Sequence, residues 1–191
     1  MSRDYYKRGI PTRYKSDMMR SRLEARWAKV FDKLGIEYYY EPEIYTFGDI
    51  SYLPDFYLPQ QNVFFEAKGV MTDKDELKIS KLAENTKKDI VIGYPNGSFQ
   101  LVDMTGHEML YGENGKETQI TDETYRLCSL PEHWYSKGET WLAKCEKCKE
   151  WHFLNFQMVY DCRICGYYAG DQKAGSYIGD ENIFNDLGVN V

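Results

Sequence analysis

One helical hydrophobic pattern, three strand-like runs, a second helix and a further strand follow one another along this sequence. That order predicts an α/β domain with a mixed sheet. Two CxxC pairs near the C-terminus predict a small β-rich module after it. Size permits both, since 191 residues with 42% hydrophobic content can bury one real core and carry a small appendage.

Residues 16–34 (SDMMRSRLEARWAKVFDKL) carry the clearest helix. Met19, Leu23, Trp27, Val30, Phe31 and Leu34 recur at three- and four-residue steps as one apolar stripe, and Gly35 supplies the stop. Three β-like runs follow, IEYYYEPEIYTF, YLPDFYLP and NVFFEAKG, each rich in aromatic or branched residues and bounded by Pro, Gly or Asn. Residues 73–86 read as a second helix, with Asp73 and Glu76 at capping-box spacing. KKDIVIGYP is a short strand whose continuous apolar run suits a buried position in a mixed sheet. SFQLVDM and HEMLY are expected to add an edge hairpin.

Beyond Tyr111 the chain turns polar (YGENGKETQITDET) and reads as a linker. The expected division is a basic arm over 1–15, the α/β domain over 16–112, a linker over 113–137, the cysteine module over 138–170 and a tail over 171–191.

The net charge of −6 argues against a protein coated with nucleic acid on every side, but the charge is uneven. Residues 1–33 hold ten Lys/Arg against four Asp/Glu. A basic arm on an acidic body suits contact with phosphate through one face; the plainer reading is a solvated start to the chain. The 17 tyrosines can serve as base-stacking surfaces or as ordinary core and strand residues. No stretch approaches the length of an apolar membrane span, and MSRDYYKRGIPTRYK lacks the apolar segment of a secretory signal. The expectation is a cytoplasmic protein with no membrane partner, in which five cysteines are not paired as disulfides.

Asp55 sits in YLPDFYLP, and Glu66 and Lys68 end the run VFFEAKG. Side chains alternate along a strand, so Phe64, Glu66 and Lys68 share one face and Val63, Phe65 and Ala67 the other. Asp55 lies eleven residues before Glu66, with the turn-like Pro59-Gln60-Gln61-Asn62 between them, so a hairpin brings the two carboxylates together. Burying such charges without a partner costs several kcal/mol each, and a divalent cation supplies that partner. Mg²⁺ suits the oxygen donors: Asp55, Glu66 and the backbone carbonyl of Ala67 would hold it. Lys68 beside it would position or deprotonate a water for in-line attack on a phosphodiester.

These residues match a known pattern. Pro54-Asp55, then Glu66-Ala67-Lys68, preceded by the helix string SRLEARWAKVFDKLGIEYYYEPE, resemble the PD-(D/E)XK, or restriction-endonuclease-like, nuclease superfamily, in particular its small phage and bacterial members. The resemblance covers residues 16–95. It implies an αβββαβ core, dependence on Mg²⁺ or Mn²⁺, DNA as the usual substrate, and a bacterial or phage-infected host cytoplasm. It also implies a role for Glu24, since a first-helix glutamate in the family often completes the metal site. The alternative for Glu24 is a capping box with Ser21, which turns the carboxylate back to the helix start. Lys78 and Lys81 on the second helix, and Arg20 and Arg26, are candidate phosphate contacts, each weighed against simple solvation. His107, His133 and His152 have no nucleophile partner at recognisable spacing.

Cys145-Glu-Lys-Cys148 and Cys162-Arg-Ile-Cys165 form two knuckles separated by 13 residues. Four thiolates on two tight turns make a closed tetrahedral site for Zn²⁺; the alternatives are a redox role for either CxxC and His152 in place of one ligand. The intervening EWHFLNFQMVYD alternates as a β-hairpin that would bring the knuckles together. A segment of about thirty residues cannot sustain its own core, so metal binding should supply much of its folding energy. Trp141, Trp151, Phe153, Lys144, Lys147, Lys149 and Arg163 offer aromatic and basic groups for DNA, or else the rings form the module's own core. Cys128 is left over as a plain thiol.

The sequence is read as a metal-dependent DNA endonuclease with a zinc ribbon that grips DNA, a second copy or a protein partner. Two other readings stand beside it: a nucleic-acid- or protein-binding adaptor with the same fold and no turnover, and a subunit active only within a recombination or transposition complex.

Overall fold

The computed structural model describes residues 9–102, 140–145, 147–154, 160–162, 164–165, 168–170, 176–179 and 183–189. Cys128, His107, His133, Arg163, the HEMLY segment and the linker lie outside the described residues.

The chain opens with a hairpin of β1 (Thr12–Tyr14) and β2 (Asp17–Met19), turning at Lys15 with a φ of 52°. This corrects the expected helix start near Ser16: the first helix, α1, runs over Arg22–Leu34. Met18 is exposed and Met19 fully buried, a period-two pattern that the helical stripe hid. Ser21 takes the extended N-cap conformation and accepts from the Glu24 N–H, which fixes the start. At the other end Gly35 adopts the left-handed conformation, with a φ of 73°. Its N–H bonds Asp32 O, and Ile36 N–H bonds Phe31 O, so the helix is closed as the sequence implied.

Five strands form the main sheet: β3 (Tyr39–Tyr40), β6 (Phe56–Leu58), β7 (Val63–Ala67), β8 (Ile90–Gly93) and β9 (Phe99–Val102). They lie in the order β3-β6-β7-β8-β9. The β7–β8 pair is parallel and the others are antiparallel, giving the expected mixed sheet. A separate hairpin, β4 (Tyr45–Phe47) and β5 (Ile50–Tyr52), divides what read as continuous strand sequence. The crossover between β7 and β8 is α2 (Asp73–Thr86). Its capping box is formed by Thr72 and Asp75, not by Asp73 and Glu76, because Thr72 is the last extended residue before the helix.

Each face of the sheet is covered by one helix. Trp27 and Phe31 of α1 pack on Phe56, Phe65 and Phe99, whereas Ile79, Leu82 and Ala83 of α2 pack with Phe64, Ile90 and Ile92. All four residues of β8 are therefore buried, which is why its sequence is an unbroken apolar run. Gly93 closes that strand where a Cβ would stand 2.4 Å from both Trp27 and Phe65.

The cysteine region joins the same core. In it β10 (Trp141–Lys144) pairs with β11 (Trp151–Leu154) and with β14 (Ser176–Gly179), while β12 (Tyr160–Asp161) pairs with β13 (Tyr168–Gly170). The expected hairpin over 150–161 is thus replaced by two hairpins, with one knuckle at the turn of each. Leu142, Trp151 and Phe153 enter the cluster built on α1 and β7; Phe153 lies 6.3 Å from Phe65 and 5.6 Å from Phe99. Trp151 Nε1 donates to Leu34 O at 3.0 Å, and Gln61 Nε2 donates to Trp151 O at 3.0 Å. Trp151 and Phe153 are core residues of the main sheet, neither a private core nor a DNA-facing surface. The segment read as a tail supplies β14 and a short helix, α3 (Ile183–Asp186), whose Phe184 packs 4.8 Å from Trp27. No helix among the described residues is long and apolar enough to cross a membrane.

Candidate functional site

The β6–β7 register pairs Phe56 with Phe65, and one further step sets Asp55 across from Glu66 at the open end of the strands. The turn spacing in the sequence implied this arrangement. Asp55 N–H donates to Glu66 Oε1 at 3.3 Å, and Ala67 N–H donates to Asp55 Oδ2 at 2.8 Å. Lys68 N–H donates to Gly93 O at 2.9 Å, which extends the β7–β8 ladder by one residue and fixes Lys68. Its Nζ stands 3.0 Å from Glu66 Oε2. Asp55 is 4% exposed and Glu66 0%, so two carboxylates and an ammonium meet in a setting almost closed to water.

That setting leaves electrostatic debts. Glu66 Oε2 is buried and faces the Lys68 ammonium in a close ion pair. Burial pushes the Asp55 carboxyl well above its ordinary range; Glu66 pushes it further, and Lys68 and Arg20 oppose the shift. Burial pulls the Lys68 ammonium down, but the neighbouring Glu66 and Asp55 outweigh it and the net shift is upward. The buried Tyr52 hydroxyl neighbours Glu66, and its pKa is raised by burial and then by the charge of Glu66. Lys68 Nζ and Lys78 Nζ lie 5.7 Å and 5.5 Å from the centre of the Tyr52 ring.

Glu24 is tied to the helix start and lies beside the carboxylate cluster. Its N–H donates to Ser21 Oγ at 3.1 Å, its Oε1 accepts from the same Oγ at 2.7 Å in place of the Ser21 N–H of a capping box, and its Oε2 accepts from Tyr40 Oη at 2.8 Å and from Arg20 N–H at 3.0 Å. It is nonetheless buried beside the site, joined to Asp55 through Arg20, whose Nη2 is 2.5 Å from Asp55 Oδ1. Of the other candidate phosphate contacts, Lys78 faces Tyr52 at the site. Lys81 pairs with Glu84 at 2.8 Å. Arg26 is engaged elsewhere: it donates to Pro95 O and Val189 O and lies 3.7 Å over the Phe184 ring, clamping the C-terminal segment. Sequence reasoning missed Tyr40, Glu41 and Tyr52, which carry no local motif.

The four cysteines converge as their spacing implied. Their sulfurs all lie within 4.8 Å of one another, at 3.8 Å for Cys145–Cys165 and 3.6 Å for Cys148–Cys162. A disulfide needs about 2.05 Å, whereas a tetrahedron of thiolates around one ion at ~2.3 Å has edges of about 3.8 Å. The group could therefore hold one metal ion. The first knuckle is closed by Cys145 N–H to Glu150 O and Lys149 N–H to Cys145 O, both at 2.9 Å. Backbone N–H groups of Lys147 and Cys148 point at Cys145 Sγ, and that of Cys165 at Cys162 Sγ. Burial pushes the Cys162 thiol up to about 12 in the metal-free state. His152 is buried with Nε2 3.2 Å from Cys162 Sγ, outside the ring of four sulfurs.

No known family model, curated protein or solved structure matches this chain. The functional reading therefore rests on the chemistry of these two clusters.

Proposed function

We propose that the chain is a metal-dependent deoxyribonuclease of the PD-(D/E)XK type, acting as an endonuclease, with a structural Zn²⁺ on Cys145, Cys148, Cys162 and Cys165. The observation that carries the reading is the burial of Asp55 and Glu66 together, with Lys68 Nζ 3.0 Å from Glu66 Oε2. The order α1, β3, β6, β7, α2, β8 supports it as an αβββαβ core. Oxygen donors alone make the site suit Mg²⁺ or Mn²⁺, held by Asp55, Glu66 and the Ala67 carbonyl, with Glu24 linked to Asp55 through Arg20. When bound, such an ion acidifies a coordinated water and neutralises charge developing on a phosphate. Lys68, anchored by its own backbone bond to Gly93, would orient the attacking water. Asp55 is held in register by the Ala67 N–H.

A second reading is favoured by a specific feature: Arg20 and Lys68 already neutralise Asp55 and Glu66 internally, as in an adaptor that binds without turnover. The test is cleavage of supercoiled plasmid and of branched DNA with Mg²⁺ or Mn²⁺. We expect cleavage that is abolished by chelator and falls at least about a hundredfold in Lys68→Ala, the usual scale for a lost acid–base group. DNA binding without cleavage in either metal would establish the adaptor instead.

A further inference from the structure

Arg20 belongs to neither motif, yet its guanidinium lies among the carboxylates of the site. Nη2 is 2.5 Å from Asp55 Oδ1, Nε is 2.7 Å from Glu41 Oε1, and Nε is 4.0 Å from Glu24 Oε2. The backbone at this point is fixed, because Arg20 N–H bonds both Glu24 Oε2 and Tyr40 Oη at 3.0 Å. The side chain itself is half exposed. Asp55 Oδ2 accepts from the Ala67 N–H while Oδ1 is held by Arg20, so a cation binding through Oδ1 competes with Arg20 directly. Glu41 is tied to the same strand ends by its own N–H to Asp55 O at 2.9 Å. It can retain the Nε contact when the outer guanidinium nitrogens are free.

We propose that Arg20 is a counter-cation that a divalent ion displaces. In the metal-free protein it neutralises Asp55; when the ion occupies Asp55 and Glu66, Arg20 leaves Asp55, stays on Glu41 and turns its released N–H groups to a DNA phosphate. The inference rests on the nuclease reading of the site. Two cations repel when they share one carboxylate oxygen in a low-dielectric setting, so metal binding and the Arg20–Asp55 contact oppose each other. A planar guanidinium fork matches phosphate geometry, and its exposed side faces solvent, where DNA would approach.

The proposal predicts opposite signs for two measurements. Mn²⁺ affinity is measured by calorimetry on the full chain without DNA. DNA affinity is measured with and without Mg²⁺ in the Lys68→Ala background, so that the DNA stays intact. Arg20→Gln is expected to bind Mn²⁺ roughly two- to fivefold more tightly, since a competing ion pair is removed. It is also expected to lose the gain in DNA affinity that Mg²⁺ brings. Arg20→Lys, which keeps the charge but not the fork, should shift both quantities in the same directions by less, and it carries the test if Arg20→Gln does not fold. Mn²⁺ binding that is unchanged or weaker in these variants, or a retained Mg²⁺-dependent gain in DNA affinity, overturns the proposal. Asp55→Asn separates the two levels: if it binds Mn²⁺ as well as the parent chain, the metal site itself is wrong.

Discussion

Glu66 and Asp55 are placed where carboxylates are expensive. Fully withdrawn from water, they are held by two backbone N–H groups and two side-chain cations, which do not offset the cost completely, as the raised Asp55 pKa reports. A group whose folded pKa lies above its unfolded value stabilises the fold below the unfolded pKa, and that contribution is lost as pH rises through the folded value. Above that folded value the ionised Asp55 therefore weakens the metal-free protein. Asp55→Asn, nearly isosteric and uncharged, should stabilise it by about 1 kcal/mol at pH 7, the usual scale of a stability–activity trade-off. That gain should shrink as pH falls and Asp55 takes up a proton. Denaturant unfolding at two pH values checks this; an Asn variant less stable than the parent at pH 7 would show that the pairings with Arg20 and Ala67 outweigh desolvation. The convergence of Asp55, Glu66 and Lys68 was legible in the sequence because strand alternation and a short turn are local rules. Glu41 and Tyr52 were not, since they reach the site only through β3 and the β4–β5 hairpin, whose placement is a tertiary fact.

At the scale of elements, α1 links the site to the core. Its N-cap Ser21 holds Glu24 beside Arg20, and the same helix buries Trp27 and Phe31 against β7, the strand that carries Glu66. The helix start was misread because Met19 extends the apolar stripe by one turn while belonging to a strand; the capping residues Ser21 and Glu24 marked the true boundary. The α2 span and the fully buried β8 were readable, since one is long and capped and the other an unbroken apolar run. Gly93, at the end of β8, allows Trp27 and Phe65 to meet the strand directly, and its carbonyl holds Lys68 N–H. Gly93→Ala puts a methyl 2.4 Å from two ring atoms in a packed core. It should destabilise the fold by about 1–3 kcal/mol and, by moving the Lys68 anchor, lower DNA cleavage as well. Thermal unfolding and the plasmid assay measure the two effects; an unchanged midpoint would mean the rings relax freely.

For the molecule as a whole, the decisive feature is that the cysteine module is not an appendage. Leu142, Trp151 and Phe153 pack with Trp27, Phe31 and Phe65 in one cluster, and Thr140 Oγ1 accepts from Leu101 N–H at 2.7 Å on the edge strand of the main sheet. The C-terminal Phe184 and Val189 fill the same cluster, with Arg26 and Lys33 of α1 bonded to the backbone of Val189 and Leu187. None of these contacts was visible in the sequence, because each joins residues far apart in the chain and no local pattern encodes the partner. They carry a thermodynamic consequence. If Zn²⁺ organises the two knuckles, its binding energy is coupled to the main sheet and not to a separate module. Removing the metal with chelator, or replacing Cys145 by Ser, should lower the unfolding midpoint of the entire chain by about 10 °C or more in a single transition. Amide hydrogen exchange at β7 and β8 should accelerate together with that of β10 and β11. Protection at β7 and β8 that stays at its original level after metal removal would show the two parts to be energetically independent, and the shared core to be a contact without coupling.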